Sequence, residues 1–147
     1  MLFSAAADYN RVLFFALFWW GVVQFAKVPV YYLRYRRFKP GLWVSAGGMP
    51  SSHASLMCAL TTGTALRDGM DSTAFAICFV VSMIVMYDAA GVRQAASIQA
   101  RMINKMIDEL FEGHPISEER LKELLGHTRV EVFVGALIGI FGTLLLW

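Results

Sequence analysis

Two histidines in this sequence lie next to groups that could make them reactive. His53 ends the run PSSH, and His127 lies four residues before Glu131. If the helix begins by Gly126, the second histidine and the carboxylate share one face. A carboxylate that accepts a hydrogen bond from one ring nitrogen fixes the tautomer and leaves the other nitrogen free to attack. Metal binding is the alternative for such a pair, although no third ligand has a clear spacing.

The stretch GGMPSSHAS, residues 47–55, has the composition of an anion site at the start of a helix. A proline and serines are typical of a first helical turn, where unpaired N–H groups and the helix dipole attract anions. Gly47 and Gly48 allow the backbone to approach a ligand closely. Ser51 and Ser52 add hydroxyl donors. We expect a phosphate at the membrane surface to bind here.

The composition is that of an integral membrane protein. Hydrophobic residues make up 57% of the 147 residues and charged residues 16%, whereas a soluble domain has about 45–50% and about 25%. The net charge of +2 is too small for the basic footprint of a nucleic-acid-binding domain. The length favours a single domain over residues 1–147. Four apolar segments are candidate spans, at 12–33, 52–66, 73–87 and 132–147.

The sequence therefore predicts an all-α membrane bundle of four spanning helices. From Val92 to Phe111 apolar residues recur at helical spacing, which predicts a long amphipathic helix, packed on the bundle or partly inserted in the membrane surface. The basic cluster RYRRFK, residues 34–39, should lie in the cytoplasm by the positive-inside rule. The chain is then a multi-pass protein of the inner, or cytoplasmic, membrane. The oligomeric state is open, and a homodimer is one option.

With that orientation, polar residues of all four segments meet on the cytoplasmic side. Ionisable groups at membrane depth are costly and suggest a site. Lys27 and Arg93 would offer positive charge to a phosphate, but each could also be an interface anchor. Asp88 could pair with Arg93 or help to end its helix.

Four segments together resemble a known family. KVPVYYLR, GGMPSSHAS, YDAAGVRQAA and LGHTRVEVF are similar to the divergent branch of the type 2 phosphatidic acid phosphatase and vanadium haloperoxidase superfamily. The resemblance runs from about Gln24 to Gly142. The wider superfamily has the pattern Lys-x6-Arg-Pro, then Pro-Ser-Gly-His, then Ser-Arg-x5-His-x3-Asp.

This chain matches most of that pattern and departs from it at defined places. Lys27 and Arg34 have the first spacing, with a tyrosine in place of the proline. PSSH at 50–53 matches the second motif, with serine in place of glycine. His127 and Glu131 match the end of the third. The arginine of the third motif is replaced by Leu121. Its candidate substitute is Arg93; Arg120 and Arg129 are poorer ones.

The resemblance implies a lipid phosphate phosphatase that needs neither metal nor cofactor. His127 would attack phosphorus and form a phosphohistidine, Glu131 would orient it, and His53 would protonate the leaving alkoxide. The phosphate-binding residues would be Lys27, Ser51, Ser52, Arg93 and Arg34. The supporting residues would be Gly47, Gly48 and Asp88.

The substrate and the rival function follow from the same features. A cytoplasmic site favours phosphatidylglycerol phosphate or phosphatidic acid, with a polyprenyl (pyro)phosphate as the alternative. The rival is a non-catalytic protein that binds or transports lipid phosphates. The missing third-motif arginine favours the rival, and the two retained histidines favour the enzyme.

Overall fold

The computed structural model describes residues 2–45, 47–91, 98–100, 102–107 and 128–147, with side chains from residue 11 onward. Every regular element among these residues is helical, which confirms the predicted all-α class. The elements are α1 (Leu2–Tyr35), a 3-10 turn (Pro40–Trp43), α2 (Ser52–Asp68), α3 (Thr73–Ala90) and α4 (Arg129–Leu146).

Hydroxyl side chains begin α2 and α3. The Ser51 side chain accepts a hydrogen bond from the Ala54 N–H, and the Ser72 side chain accepts one from the Phe75 N–H. Each bond satisfies one of the N–H groups that a helix start leaves unpaired. Gly69, with a φ of 88°, ends α2, since a residue without a Cβ adopts this conformation at little cost. The prediction that the serines of GGMPSSHAS begin a helix is thus confirmed.

Three of the described helices are long and apolar enough to span a membrane: Arg11–Tyr35 within α1, α3 and α4. α2 is not among them. Its 17 residues lie at the lower limit for a span, and Ser, Thr and Gly make it less apolar than its neighbours. The predicted count of four spans therefore stays a prediction.

α2 occupies the centre of the described bundle. It packs against α1, α3 and α4, and its buried residues are small or carry hydroxyls: Ser52, Ala54, Ser55, Cys58, Ala59, Thr61, Gly63 and Thr64. Gly135 and Gly139 of α4 lie directly on the Ser51 and Ser55 carbonyls, where a Cβ would collide. Such close backbone approach is the usual way in which helices associate in lipid.

The predicted amphipathic helix at 92–111 is described in part. Residues 98–100 and 102–107 are helical, and the rest of this prediction lies outside the described residues. Met102, Ile103 and Met106, which form part of the predicted apolar stripe, are exposed. This exposure agrees with insertion in a membrane surface and not with packing on the described bundle.

Candidate functional site

A buried lysine marks the polar end of the bundle. Lys27 lies two turns before the end of α1 and is 1% exposed. Its Nζ donates hydrogen bonds to the Ser45 carbonyl, at 3.0 Å, and to the Ser52 Oγ, at 3.3 Å. A buried ammonium costs several kcal/mol unless it has partners. The side chain is therefore held inward at the start of α2, and it is not an anchor that extends to the interface.

The segment between α1 and α2 forms one wall around this lysine. Gln24 donates from Nε2 to the Trp43 carbonyl, at 2.6 Å, and to the Ser45 carbonyl, at 3.2 Å. The Gly47 N–H donates to the Ser45 Oγ. Gly48 has a φ of 94°, a conformation that favours glycine. These bonds keep the Ser45 carbonyl directed at Lys27.

The start of α4 is bonded to the start of α2. The Ser51 N–H donates to the Glu131 carbonyl at 3.0 Å, and Gly135, one turn later, lies against Ser51. Ser51 itself is fully buried, and its hydroxyl caps α2. The structure thus brings together the starts of the second and fourth predicted segments, as the topology required.

The condition for a shared helical face of His127 and Glu131, a helix that begins by Gly126, is not met. α4 begins at Arg129 and is capped by Thr128. The Thr128 N–H donates to the Glu131 Oε2 at 3.0 Å, and the Glu131 N–H donates to the Thr128 Oγ1 at 3.3 Å. These two bonds form a capping box. Helical i, i+4 spacing therefore gives no support to a contact of His127 with Glu131, and that contact stays a prediction.

A polar cavity of about 260 Å³ joins these groups. Lys27, Arg34 and Glu131 line it together with Gly47 and Gly48. Lys39 and the side chains of two tyrosines complete its charged and aromatic rim. Three cations face one carboxylate among the described lining residues, so the cavity is electropositive and suited to an anion.

The cations at the rim differ from Lys27 in exposure. Arg34 is exposed, with its guanidinium 5.4 Å from the centroid of the Tyr35 ring. The Lys39 Nζ is 6.0 Å from the centroid of the Tyr31 ring. Both distances are within the range of cation–π attraction. Arg34 therefore lies at the mouth of the cavity, about two turns beyond the buried lysine.

The remaining predicted site residues fall into two groups. His53 is half-buried in the first turn of α2. Asp88 is half-buried in the last turn of α3, next to Ala89, which packs against the starts of α2 and α4. Both thus lie at the same end of the bundle as Lys27. Arg93 and His127 lie outside the described residues, so their roles stay predictions.

A second cavity, of about 310 Å³, lies between the far halves of α2, α3 and α4. Its lining is apolar except for a few hydroxyls. Two of these, on Thr61 and Ser82, are 2.7 Å apart and hydrogen-bonded to each other. We therefore place the candidate site at the polar cavity, where the charged groups lie.

Sequence reasoning missed three contributors to the site. The Ser45 carbonyl gave no signal, because a backbone acceptor in an irregular segment has no sequence signature. Gly135 and Gly139 have the Gly-x-x-x-Gly spacing of close helix pairs. The run Thr-x-x-Glu at 128–131 is the signature of a capping box. The last two signals were available in the sequence.

The comparisons with known proteins agree with this architecture. No solved structure matches the chain. The chain is 41% identical over 134 residues to YuiD of Bacillus subtilis (strain 168), described as an uncharacterized membrane protein, and the match covers 84% of this chain and 85% of the relative. This relative and the three apolar helices of the present chain support a multi-pass membrane protein. The model of the divergent PAP2 family matches residues 9–142, and the chain belongs to that family.

Proposed function

We propose that this protein is a membrane phosphatase that hydrolyses a lipid phosphomonoester. The observation that carries the proposal is the buried Lys27 ammonium, which is bonded to Ser52 at the start of α2 and lines an electropositive cavity. A charged group at this depth is costly and is typical of a functional site. Family membership supports the same reaction class.

The site has the donors that a phosphate needs. An ammonium has three N–H donors, and the recorded acceptors of Lys27 account for two of them. The remaining donor, the Ser52 hydroxyl and the first N–H groups of α2 can bind phosphate oxygens. Arg34 at the mouth of the cavity can neutralise a further oxygen. These groups would also hold the charge that develops in the transition state.

The proposed reaction has two steps, and His127 is its nucleophile. A ring nitrogen of His127 forms a bond to phosphorus while the ester P–O bond breaks, and His53 gives its proton to the leaving alkoxide. His53 then takes a proton from water, whose oxygen attacks phosphorus and breaks the P–N bond. Inorganic phosphate leaves, and both histidines return to their starting states. Glu131 orients His127, and Arg93 takes the place of the missing third-motif arginine.

The proposed substrates are phosphatidylglycerol phosphate and phosphatidic acid. An apolar bundle beside the cavity favours a lipid over a soluble ester. The basic run at residues 34–39 favours a site on the cytoplasmic side, where a substrate made in that leaflet is accessible. A polyprenyl (pyro)phosphate is the alternative.

The experiment is a measurement of phosphate release by purified protein in detergent with EDTA present. We would supply the three lipids to the parent protein and to the His127→Ala and His53→Ala variants. We expect release by the parent protein, with a loss of roughly 100-fold or more in each variant. Release that persists in both variants would contradict the proposed chemistry.

A non-catalytic lipid-phosphate binder or transporter is the second candidate, because Leu121 stands where the family pattern has an arginine. A binder would release no phosphate from any lipid and would still bind lipid phosphate after His127→Ala. Phosphate release by the parent protein, measured together with lipid binding, therefore separates the two functions.

A further inference from the structure

The residues that follow α1 form an unusually basic surface. We call residues 34–44 the basic segment. They include the last two residues of the candidate span Arg11–Tyr35 and continue directly beyond it. All four cations of the segment are exposed: Arg34, Arg36, Arg37 and Lys39. The sequence has no carboxylate between Asp8 and Asp68, so no neighbour along the chain neutralises this charge.

In the part of the chain that the structure describes, an ion pair joins Arg67 to Asp68. This pair lies at the opposite end of α2 from the basic segment and does not neutralise its cations. Two cations of the segment instead lie over tyrosine rings: Arg34 over Tyr35 and Lys39 over Tyr31. A ring face leaves the N–H donors of a cation accessible to an anion. The segment therefore presents positive charge that an outside partner can neutralise.

The same segment exposes large apolar side chains. Phe38 is 67% exposed, Trp43 is 42% exposed and Val44 is 91% exposed. The Phe38 and Trp43 rings pack edge to face, with their centroids 6.4 Å apart. A surface that mixes exposed aromatic rings with cations, at the end of a span, suits the boundary between lipid headgroups and acyl chains.

We propose that the basic segment binds the headgroups of anionic phospholipids in the leaflet where α1 ends. The lipid phosphates neutralise the cations, and Phe38, Trp43 and Val44 enter the headgroup layer. Clustered basic residues beside a span attract anionic lipids, and each cation near the surface contributes about 1 kcal/mol of binding free energy. That energy corresponds to about fivefold in affinity.

This lipid site meets the candidate phosphatase site at Arg34 and Lys39, which line the polar cavity, and extends beyond it at Arg36 and Arg37. Arg36 and Arg37 are not among the residues that line the polar cavity. The two sites share a wall, because the Trp43 carbonyl accepts from Gln24 and the Trp43 Nε1 donates to the Phe25 carbonyl. A bound lipid would therefore steady the segment that supplies the Ser45 carbonyl to Lys27.

The variants that test the proposal leave the cavity unchanged. Arg36 has a φ of 54°, so we choose Arg36→Asn, since asparagine tolerates this conformation better than most residues. It is combined with Arg37→Gln. The control is Arg67→Gln, which removes one arginine at the far end of α2. All three changes are made in the full chain.

The experiment measures lipid association in reconstituted phosphatidylcholine vesicles. Electron paramagnetic resonance compares spin-labelled phosphatidylglycerol with spin-labelled phosphatidylcholine at the protein surface. We expect the parent protein to prefer phosphatidylglycerol, and the double variant to lose about fivefold or more of that preference. The preference should fall between 0.1 M and 1 M salt, because the Debye length shortens from about 10 Å to about 3 Å.

Two results would overturn the proposal. One is a parent protein with no preference for the anionic lipid. The other is an equal loss of preference in the Arg67→Gln control, which would mean that total charge and not the basic segment attracts the lipid. This measurement of lipid preference needs no phosphatase activity, so its result does not depend on the outcome of the phosphate-release experiment.

Discussion

α2 and α3 are neighbouring helices of 17 and 18 residues with opposite relations to their surroundings. α2 buries eight residues, all small or hydroxyl-bearing. α3 buries Ser82 and Ala89 and exposes many of its large apolar side chains. These exposed apolar side chains include Ile77, Phe79, Val80, Val81, Met83, Ile84 and Tyr87. The more polar helix is thus the inner one.

The difference reflects the solvent in which this bundle is stable. In lipid there is no hydrophobic drive between helices, so close contact and hydrogen bonds select small and hydroxyl-bearing residues for the interior. α2 meets this requirement, and its fit against α1 and α4 sets the position of Ser52 relative to Lys27. α3 forms a lipid-facing wall. The site should therefore be sensitive to the packing of α2 and insensitive to conservative changes on α3.

The largest effect is expected where α4 touches the start of α2. In Gly135→Ala the new Cβ meets the backbone carbonyl of Ser51. The Ser51 N–H is bonded to the Glu131 carbonyl, so the two helices cannot separate freely. Overpacking costs typically 1–3 kcal/mol and sometimes more. We expect a melting temperature in detergent that is lower by many degrees, or loss of folded protein.

The matched control for this change is Gly21→Ala. A Cβ at Gly21, inside α1, would meet nothing within 4 Å. Alanine is the better helix former, so we expect an unchanged or slightly higher melting temperature. Equal destabilisation by the two changes would show that the contact of α4 with α2 is not a special constraint.

The next effect concerns the polar end of α2. We expect Lys27→Met to lower phosphate release roughly 100-fold, the scale of losing one donor to a developing oxyanion. The melting temperature should change little, because the change removes a desolvated charge along with two hydrogen bonds. Lys39→Met, at the exposed rim, should lower phosphate release by less than about fivefold. Equal losses in the two variants would contradict a special role for the buried lysine.

A smaller effect is expected at the contact of α2 with α3. Thr61→Val removes the hydroxyl that is 2.7 Å from the Ser82 Oγ. Hydrogen bonds between helices in membranes contribute about 0.5–1.5 kcal/mol, so the melting temperature should fall by a few degrees. Thr62→Val is the control, since among the described residues the Thr62 hydroxyl makes no hydrogen bond to α3. A larger effect from the control would mean that this hydroxyl pair is not what joins the helices.

The smallest effect is expected on the outer face of α3. Ile84 is exposed, and lipid chains adapt to a change of shape. Ile84→Leu should therefore change the free energy of unfolding by less than about 0.5 kcal/mol. A loss several times larger would show that another protein surface covers this face and that α3 is not a simple lipid wall.

The sequence predicted much of this fold because its signals are strong. Long apolar runs located α1, α3 and α4, and Ser51 and Ser52 marked the start of α2. The convergence of Lys27 with Ser52 followed from topology, since the last turns of α1 and the first turn of α2 lie at the same end of the bundle. These inferences needed patterns along the chain and no knowledge of which side chains touch.

The rest depended on packing and on backbone groups. The partnership of Lys27 with the Ser45 carbonyl is set by an irregular turn, whose path no periodicity predicts. The central position of α2 follows from small residues that look unremarkable one by one. The condition for a shared helical face of His127 and Glu131, a helix that begins by Gly126, is not met, because the capping box at Thr128 decides where the helix begins.

The measurement that tests the central claim most directly is a search for a phosphate bonded to His127. The His53→Ala variant would receive an aryl phosphate, whose leaving group needs no acid, so the first step proceeds while hydrolysis of the intermediate is slow. After an alkaline quench, mass spectrometry locates the phosphate. The account predicts phosphohistidine at His127 and none after His127→Ala. An unmodified chain that still releases phosphate, or a phosphate on another residue, would contradict it.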